Sequence, residues 1–274
     1  MIKYDFHMHS DNSLDGRQSV DDACRAAIEK GLRGIAITDH ADICFFEKDD
    51  TINRFKKCIA DVNEAKRKYD GQLEIYMGIE MAEYLTNEEG AENTLALTDY
   101  DVVLGSIHTV YFQDIDDSYS RIDFSSMPKE KIIGFIDLYF DLMLEMLYKT
   151  DFDILTHLTC PLRYINGKYK RDIDIWLFES KIRSVLREVI DRGISLEINT
   201  SGYSTDGKYF MPEKDILSLY YEMGGRRVSI GSDAHISKNV SVGFNEAKNM
   251  LTDIGFDGYY VYKKREPIFI VFNE

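Results

Sequence analysis

Short apolar runs recur along this chain with longer amphipathic stretches between them, and that alternation restricts the fold more than any other feature. The runs are Ile2–Phe6, Gly34–Thr38, Leu73–Ile79, Asp101–Ser106, Phe152–Thr156, Ile194–Asn199 and Val228–Ser232. Most are nearly unbroken rows of Ile, Val, Leu or Phe, the pattern of parallel strands buried on both faces. The stretches Ser19–Lys30, Thr51–Tyr69, Pro128–Lys149, Ile175–Arg192, Pro212–Met223 and Val242–Ile254 carry helical periodicity. Gly31, Gly193, Gly224 and Gly255 stand where helices end before strands, and Pro128 and Pro212 where first turns begin. Strand–helix units of roughly 30 to 45 residues argue for a single parallel sheet. Seven strands fit a distorted (β/α)7, TIM-like barrel better than an open doubly wound sheet. No glycine-rich phosphate loop follows the first strand, which removes the main signal of a dinucleotide fold.

No linker or composition break divides the 274 residues, so residues 1–274 are expected to form one domain. Tyr84–Asp99 and Tyr111–Met127 are expected to be long loops, and Tyr259–Tyr262 and Pro267–Phe272 to be extra strands. Cys24, Cys44, Cys58 and Cys160 form no C-x-x-C pair and read as ordinary thiols of a reducing compartment. With no signal peptide after Met1 and no apolar run of roughly 20 residues, the expected location is the cytoplasm, without membrane association. The formal net charge of −15 disfavours nucleic acid, whose binding rests on basic residues. It leaves room for a small anionic substrate, because bound cations would add local positive charge. The oligomeric state is not legible.

All six histidines, His7, His9, His40, His108, His157 and His235, fall at or just after the C-terminal end of a predicted strand. In a parallel barrel those ends share one face, the face that carries active sites. Glu80 ends the third predicted strand, Asp233 ends the seventh just before His235, and Asp15 lies in the first loop. Imidazole with carboxylate suits zinc, iron or manganese. His7 and His9, two apart on an extended chain, point the same way. Alone, each of these residues would read as a solvated or hydrogen-bonded polar group. Together, without metal, they would leave costly unpaired groups at one rim.

The segments Phe6-His7-Met8-His9-Ser10, Thr38-Asp39-His40, Gly78-Ile79-Glu80, Gly105-Ser106-Ile107-His108, Thr156-His157 and Gly231-Ser232-Asp233-Ala234-His235 resemble, in order, the motifs of the PHP (polymerase and histidinol phosphatase) family. Within it, the length and the loop Asp11–Gly16 look most like the histidinol-phosphate phosphatases. The resemblance implies a distorted barrel holding three divalent transition-metal ions. His7, His9, Glu80 and Asp233 would bind the first, and Glu80, His108 and His157 the second. Asp15, His40 and His235 would bind the third, with Asp15 standing where some relatives have histidine. Asp39 would orient a ligand by hydrogen bonding.

The implied reaction is hydrolysis of a phosphomonoester, L-histidinol phosphate above all, with a small phosphorylated metabolite as the only partner. The cations would neutralise the phosphate dianion and activate water, so Ser10 and Ser232 read as turn residues. Glu80, Asp15 and His235 are the expected catalytic groups. Arg163 is expected to clamp the phosphate, with Lys264 and Arg265 as weaker candidates and Asn199 bonding a ligand or bound water. For the leaving group, Asp42 and Glu83 would meet an amine, and Phe45, Phe46, Tyr111 or Phe112 would stack on a ring. The rival readings are a phosphatase for phosphotyrosine, nucleotides or another small ester, and a non-catalytic binding module. A metal amidohydrolase is a third, disfavoured by the lack of a lysine at any strand end.

Overall fold

Each apolar run is followed by a crossover long enough to return the chain to the same edge, so the strands pair in parallel. The computed structural model describes residues 2–205 and 207–272. Its main sheet runs β1 (Tyr4–Asp5), β2 (Gly34–Ile37), β4 (Glu74–Ala82), β5 (Val102–Ser106), β6 (Ile154–Leu155), β7 (Ser195–Asn199) and β8 (Val228–Gly231). All neighbours are parallel. A short strand, β3 (His40–Asp42), also pairs with β4. The first and last strands approach each other: Phe6 N–H donates to Ile230 C=O at 3.1 Å, and Asp233 N–H to His7 C=O at 2.7 Å. A parallel bridge joins Met8 to Ala234. The sheet is thus a nearly closed, distorted barrel with seven principal strands, as the alternation predicts.

The helices are α1 (Val20–Glu29), α2 (Thr51–Lys68), α3 (Glu88–Leu95), α4 (Lys129–Lys149), the single turn α5 (Cys160–Leu162), α6 (Glu179–Arg192), α7 (Lys214–Glu222) and α8 (Phe244–Ile254). A π-helical segment, Arg163–Lys168, continues α5. Ser19 starts α1 with a capping box, its hydroxyl accepting from Asp22 N–H while the Asp22 carboxylate accepts from Ser19 N–H. The core is continuous, and the strand residues Ile35, Ile37, Ile79, Leu104, Leu196, Ile198 and Ile230 are all buried in it. Among the described residues, no helix is long and apolar enough to cross a membrane.

Two expectations change, and a third gains detail. Tyr84–Asp99 is not wholly loop. It contains α3, whose start is fixed by the Asn87 side chain accepting from Gly90 N–H at 3.0 Å. The apolar runs around β1 and β6 give only two residues of strand each. The last two runs form a separate antiparallel hairpin, β9 (Gly258–Lys263) and β10 (Glu266–Val271). That hairpin covers the N-terminal end of the barrel: Tyr259 Oη accepts from Lys3 and Tyr4 N–H at 3.0 and 3.2 Å, and Tyr262 Oη donates to Asp153 C=O at 3.0 Å. The strand C-termini stay open as a cleft.

Candidate metal centre

Strands β3 and β4, carrying His40 and Glu80, and the loops after β1, β5, β6 and β8 bring all nine predicted donors to the floor and rim of that cleft, with buried Glu80 at the centre. Glu80 Oε1 lies 2.8 Å from His157 Nε2 and 3.2 Å from His108 Nε2. Its Oε2 lies 2.8 Å from His40 Nδ1, 3.3 Å from His7 Nε2 and 3.6 Å from His9 Nε2. Asp233 Oδ1 stands 3.2 Å from His9 Nε2. At the rim, Asp15 Oδ2 is 3.2 Å from His235 Nε2 and its Oδ1 3.7 Å from His40 Nε2. Asp15 is the most solvent-exposed of the nine, with 62% of its side chain accessible.

Three groups of donor atoms lie within 4.8 Å of one another: His7, His9 and Asp233; His40, Glu80 and His108; and His9, His40 and His235. The grouping differs from the sequence expectation in placing His40 toward Glu80 and His108. Two buried acceptor atoms, Glu80 Oε2 and His40 Nδ1, face each other at 2.8 Å yet neither has a hydrogen-bond partner. Buried lone pairs left in that state are costly, and a shared divalent cation would satisfy both. The donor set of imidazoles and carboxylates therefore fits a transition metal.

The electrostatics of the side chains follow from this crowding. Burial opposes charge on His7, but Glu197, Glu80 and Asp233 outweigh it and hold the imidazole well above its usual pKa. Burial, with His40 and His235 alongside, lowers His9 to about 4. Burial also opposes ionisation of Glu80 and Asp233, yet the surrounding imidazoles hold both carboxyls well below the carboxylate range. His235 rises to about 9: burial opposes the shift, and Asp15 and Asp233 override it.

Glu197 escapes a reading of the sequence because it sits inside the apolar run of β7. The signal was there: a glutamate pointing into a barrel interior must have partners. Its Oε1 accepts from His7 Nδ1 at 2.5 Å and its Oε2 from His157 N–H at 2.8 Å, a carboxylate–histidine pair of the kind that orients metal ligands. Asp39 accepts from Ser10 N–H and Oγ at 2.6 Å and from Ser13 Oγ at 2.8 Å. Ser13 Oγ in turn accepts from His40 N–H at 3.0 Å, so Asp39 and Ser13 tie the loop that carries Asp15 to the start of β3 at His40.

The predicted substrate contacts divide. Arg163 lines the cleft, a cavity of about 490 Å³, together with Arg17, Lys48, Arg54 and Arg121. This is a concentration of cations in an otherwise acidic chain. Lys264 and Arg265 do not reach it. They sit in the hairpin turn at the opposite end, where Arg265 Nε pairs with Asp153 at 3.1 Å. Asn199 is buried behind the ligands, its Nδ2 donating to Asp233 Oδ2 at 3.2 Å. Asp42 Oδ1 accepts from His108 Nδ1 at 2.9 Å. Glu83 accepts from Thr109 N–H at 2.9 Å and from His108 N–H, and burial next to Asp42 pushes its carboxyl up to about 7. Both acids are thus occupied in holding His108 and its loop. Phe45 lines the cleft, Phe112 packs against Phe135, Phe46 is partly buried against the core, and Tyr111 is half exposed.

Known proteins resemble this chain over nearly its whole length. A probable histidinol-phosphatase of Clostridium acetobutylicum is 28% identical over 267 residues, which is 95% of this chain and 97% of the relative. A histidinol-phosphatase of Lactococcus lactis is 24% identical over 93% of each chain. The crystal structure of histidinol phosphate phosphatase from Lactococcus lactis, complexed with zinc, L-histidinol and phosphate, superposes with a TM-score of 0.78 at 20% identity. That match covers 97% of this chain and 98% of the other, and the likeness establishes the fold. The PHP domain pattern itself matches residues 5–201, a span that takes in seven of the nine donors as well as Glu197, and with that match over most of its length the chain belongs to the PHP domain family.

Proposed function

We propose that this chain is a metal-dependent phosphomonoesterase of one domain, and that its substrate is L-histidinol phosphate. The observation that carries the reading is the clustering of nine metal donors, five of them histidines set around Glu80, beneath a cleft whose wall bears Arg163. The family and the names of its full-length relatives support the substrate. We assign His7, His9, His40, Glu80, His108, His157, Asp233, His235 and Asp15 as the residues that would hold three divalent ions, zinc, iron or manganese. Such ions, when bound, neutralise phosphate oxygens and lower the pKa of a bound water.

The chain's own groups do the rest. Arg163 offers a planar fork to the phosphate dianion. Glu80 fixes the imidazoles around it. Asp15 and His235, the donors nearest solvent, are the groups of the site that could pass a proton to the leaving oxygen. With Asp42 and Glu83 engaged, the acid left for the amine of the leaving group is Asp49. It lines the cleft beside Phe45, and its carboxylate makes no ion pair with any described residue. Asp49→Asn should raise KM for L-histidinol phosphate by about tenfold, the scale of one ionic hydrogen bond. It should leave KM for p-nitrophenyl phosphate, which lacks an amine, in place.

The test of the whole reading is phosphate release by metal-loaded protein from L-histidinol phosphate, a phosphotyrosine peptide and nucleoside monophosphates. The expected result is a kcat/KM for L-histidinol phosphate at least about a hundredfold above the others. A higher value for either competitor reassigns the substrate, and no turnover of any ester refutes the enzyme.

A further inference from the structure

Arg163 is an arginine without an acid. Its guanidinium is half-buried on the cleft wall, and among the described residues no carboxylate lies within ion-pair distance of it. Its one hydrogen bond to a described side chain is from Nη1 to Ser201 Oγ, at 3.0 Å. A guanidinium carries five N–H donors, so the remainder are free for an anion in the cleft.

Ser201 is itself not free to turn. Its hydroxyl lies 2.7 Å from Asn199 Oδ1, and its backbone N–H donates to the same oxygen at 3.1 Å. On the other side of the amide, Asn199 Nδ2 faces two carboxylates, Asp233 Oδ2 at 3.2 Å and Glu197 Oε2 at 3.3 Å. Carboxylates accept and do not donate, so the amide has one possible orientation: nitrogen toward the acids, oxygen toward Ser201. The Ser201 hydroxyl must then donate to Asn199, which leaves its lone pair for the guanidinium. Every bond in the chain Arg163–Ser201–Asn199–Asp233 therefore has a fixed direction. A branch through Glu197 reaches His7. Asn199 and Ser201 are buried, and bonds of this kind are stronger away from water.

We infer that Ser201 is a positioning residue: through Asn199 it ties Arg163 to Asp233 and Glu197, and so sets the distance between the guanidinium and the metal donors. This rests on the reading of Arg163 as the phosphate clamp. A phosphate held by both must span a fixed gap, and a displacement of about 1 Å is enough to cost a large part of the rate. An untethered arginine would still carry its charge, but would have to be ordered each time the anion binds.

The test is a double-mutant cycle read by phosphate affinity as well as by rate. In metal-loaded protein, Ser201→Ala should weaken inorganic phosphate binding, measured by calorimetry, and lower kcat/KM for L-histidinol phosphate, each by about ten- to a hundredfold. Metal content should not change. Ser201→Thr keeps the hydroxyl and should recover most of both. In an Arg163→Ala background, Ser201→Ala should add nothing, because the two act as one unit. Unchanged phosphate affinity in Ser201→Ala, or an equal loss with Arg163 already removed, overturns the tether. If no ester is hydrolysed but the phosphate cycle is coupled as described, the tether stands and the enzyme reading alone fails.

Discussion

At the scale of single residues, the centre depends on carboxylates that touch imidazoles rather than on any one donor. Glu80 Oε1 and Oε2 face different sets of histidines, so Glu80→Gln should cost activity by orders of magnitude and lower metal content together. Full activity with full occupancy in that variant would remove Glu80 from the centre. Glu197 stands one step back, on His7 Nδ1. Glu197→Gln keeps the shape but loses the charge that holds His7 in place, and should lower metal affinity or kcat by about 10–100-fold. Elemental analysis after dialysis against dilute metal would read it. The contrast between these two glutamates shows what a sequence tells at this scale. Glu80 was legible because it ends a strand beside histidine-bearing loops. Glu197 was not, because an isolated acid in an apolar run gives no hint of its partner until the strands are set side by side. Asp42 and Glu83 show the same limit: Asp42 lines the cleft while its Oδ1 accepts from His108, and Glu83 is buried against the backbone of His108 and Thr109, contacts that no reading of the loops alone reveals.

At the scale of elements, close approach between strands builds the floor of the site. Gly231 ends β8 where a Cβ would fall 2.3 Å from His7 Cβ and 2.6 Å from Glu197 Oε1. Both neighbours are held, so Gly231→Ala should destabilise the fold by about 1–3 kcal/mol and loosen His7. The expected observation is a lower urea midpoint together with reduced metal content. Away from the site the two effects separate. Ser19→Ala removes the α1 capping box and should cost about 1 kcal/mol, with metal content and kcat unaltered; a loss of activity at unchanged stability would contradict that division. The long strands were legible as nearly unbroken apolar rows, and most helices by their 3.6-residue period. Helix α3 was not, since Glu88–Leu95 places only Gly90, Ala91 and Thr94 against the core, a stripe too small to register as apolar.

At the scale of the molecule, the thiols and the cluster sit in opposite situations. Burial pushes Cys24 and Cys44 up to about 12 and Cys160 to about 11, and holds Cys58 well above its usual value. At pH 8 all four are protonated and poorly nucleophilic, so the native protein should react slowly with Ellman's reagent and the urea-unfolded protein quickly. A fast native thiol would show that a wall of the fold opens. The cluster, by contrast, gathers ionisable groups at one end of an acidic molecule. Nine donors share a small volume, several of them buried and some without a hydrogen bond, and cations that bind the folded chain alone stabilise it by mass action. Chelation should therefore abolish phosphatase activity and lower the melting temperature by on the order of 5–15 °C. Reloading with zinc, manganese or ferrous iron, one at a time, should restore both, and more than one ion per chain should be found at saturation. A melting temperature and activity indifferent to exhaustive chelation would mean that the histidines and acids satisfy one another without metal, and the convergence on Glu80 would then have to be explained as structure alone.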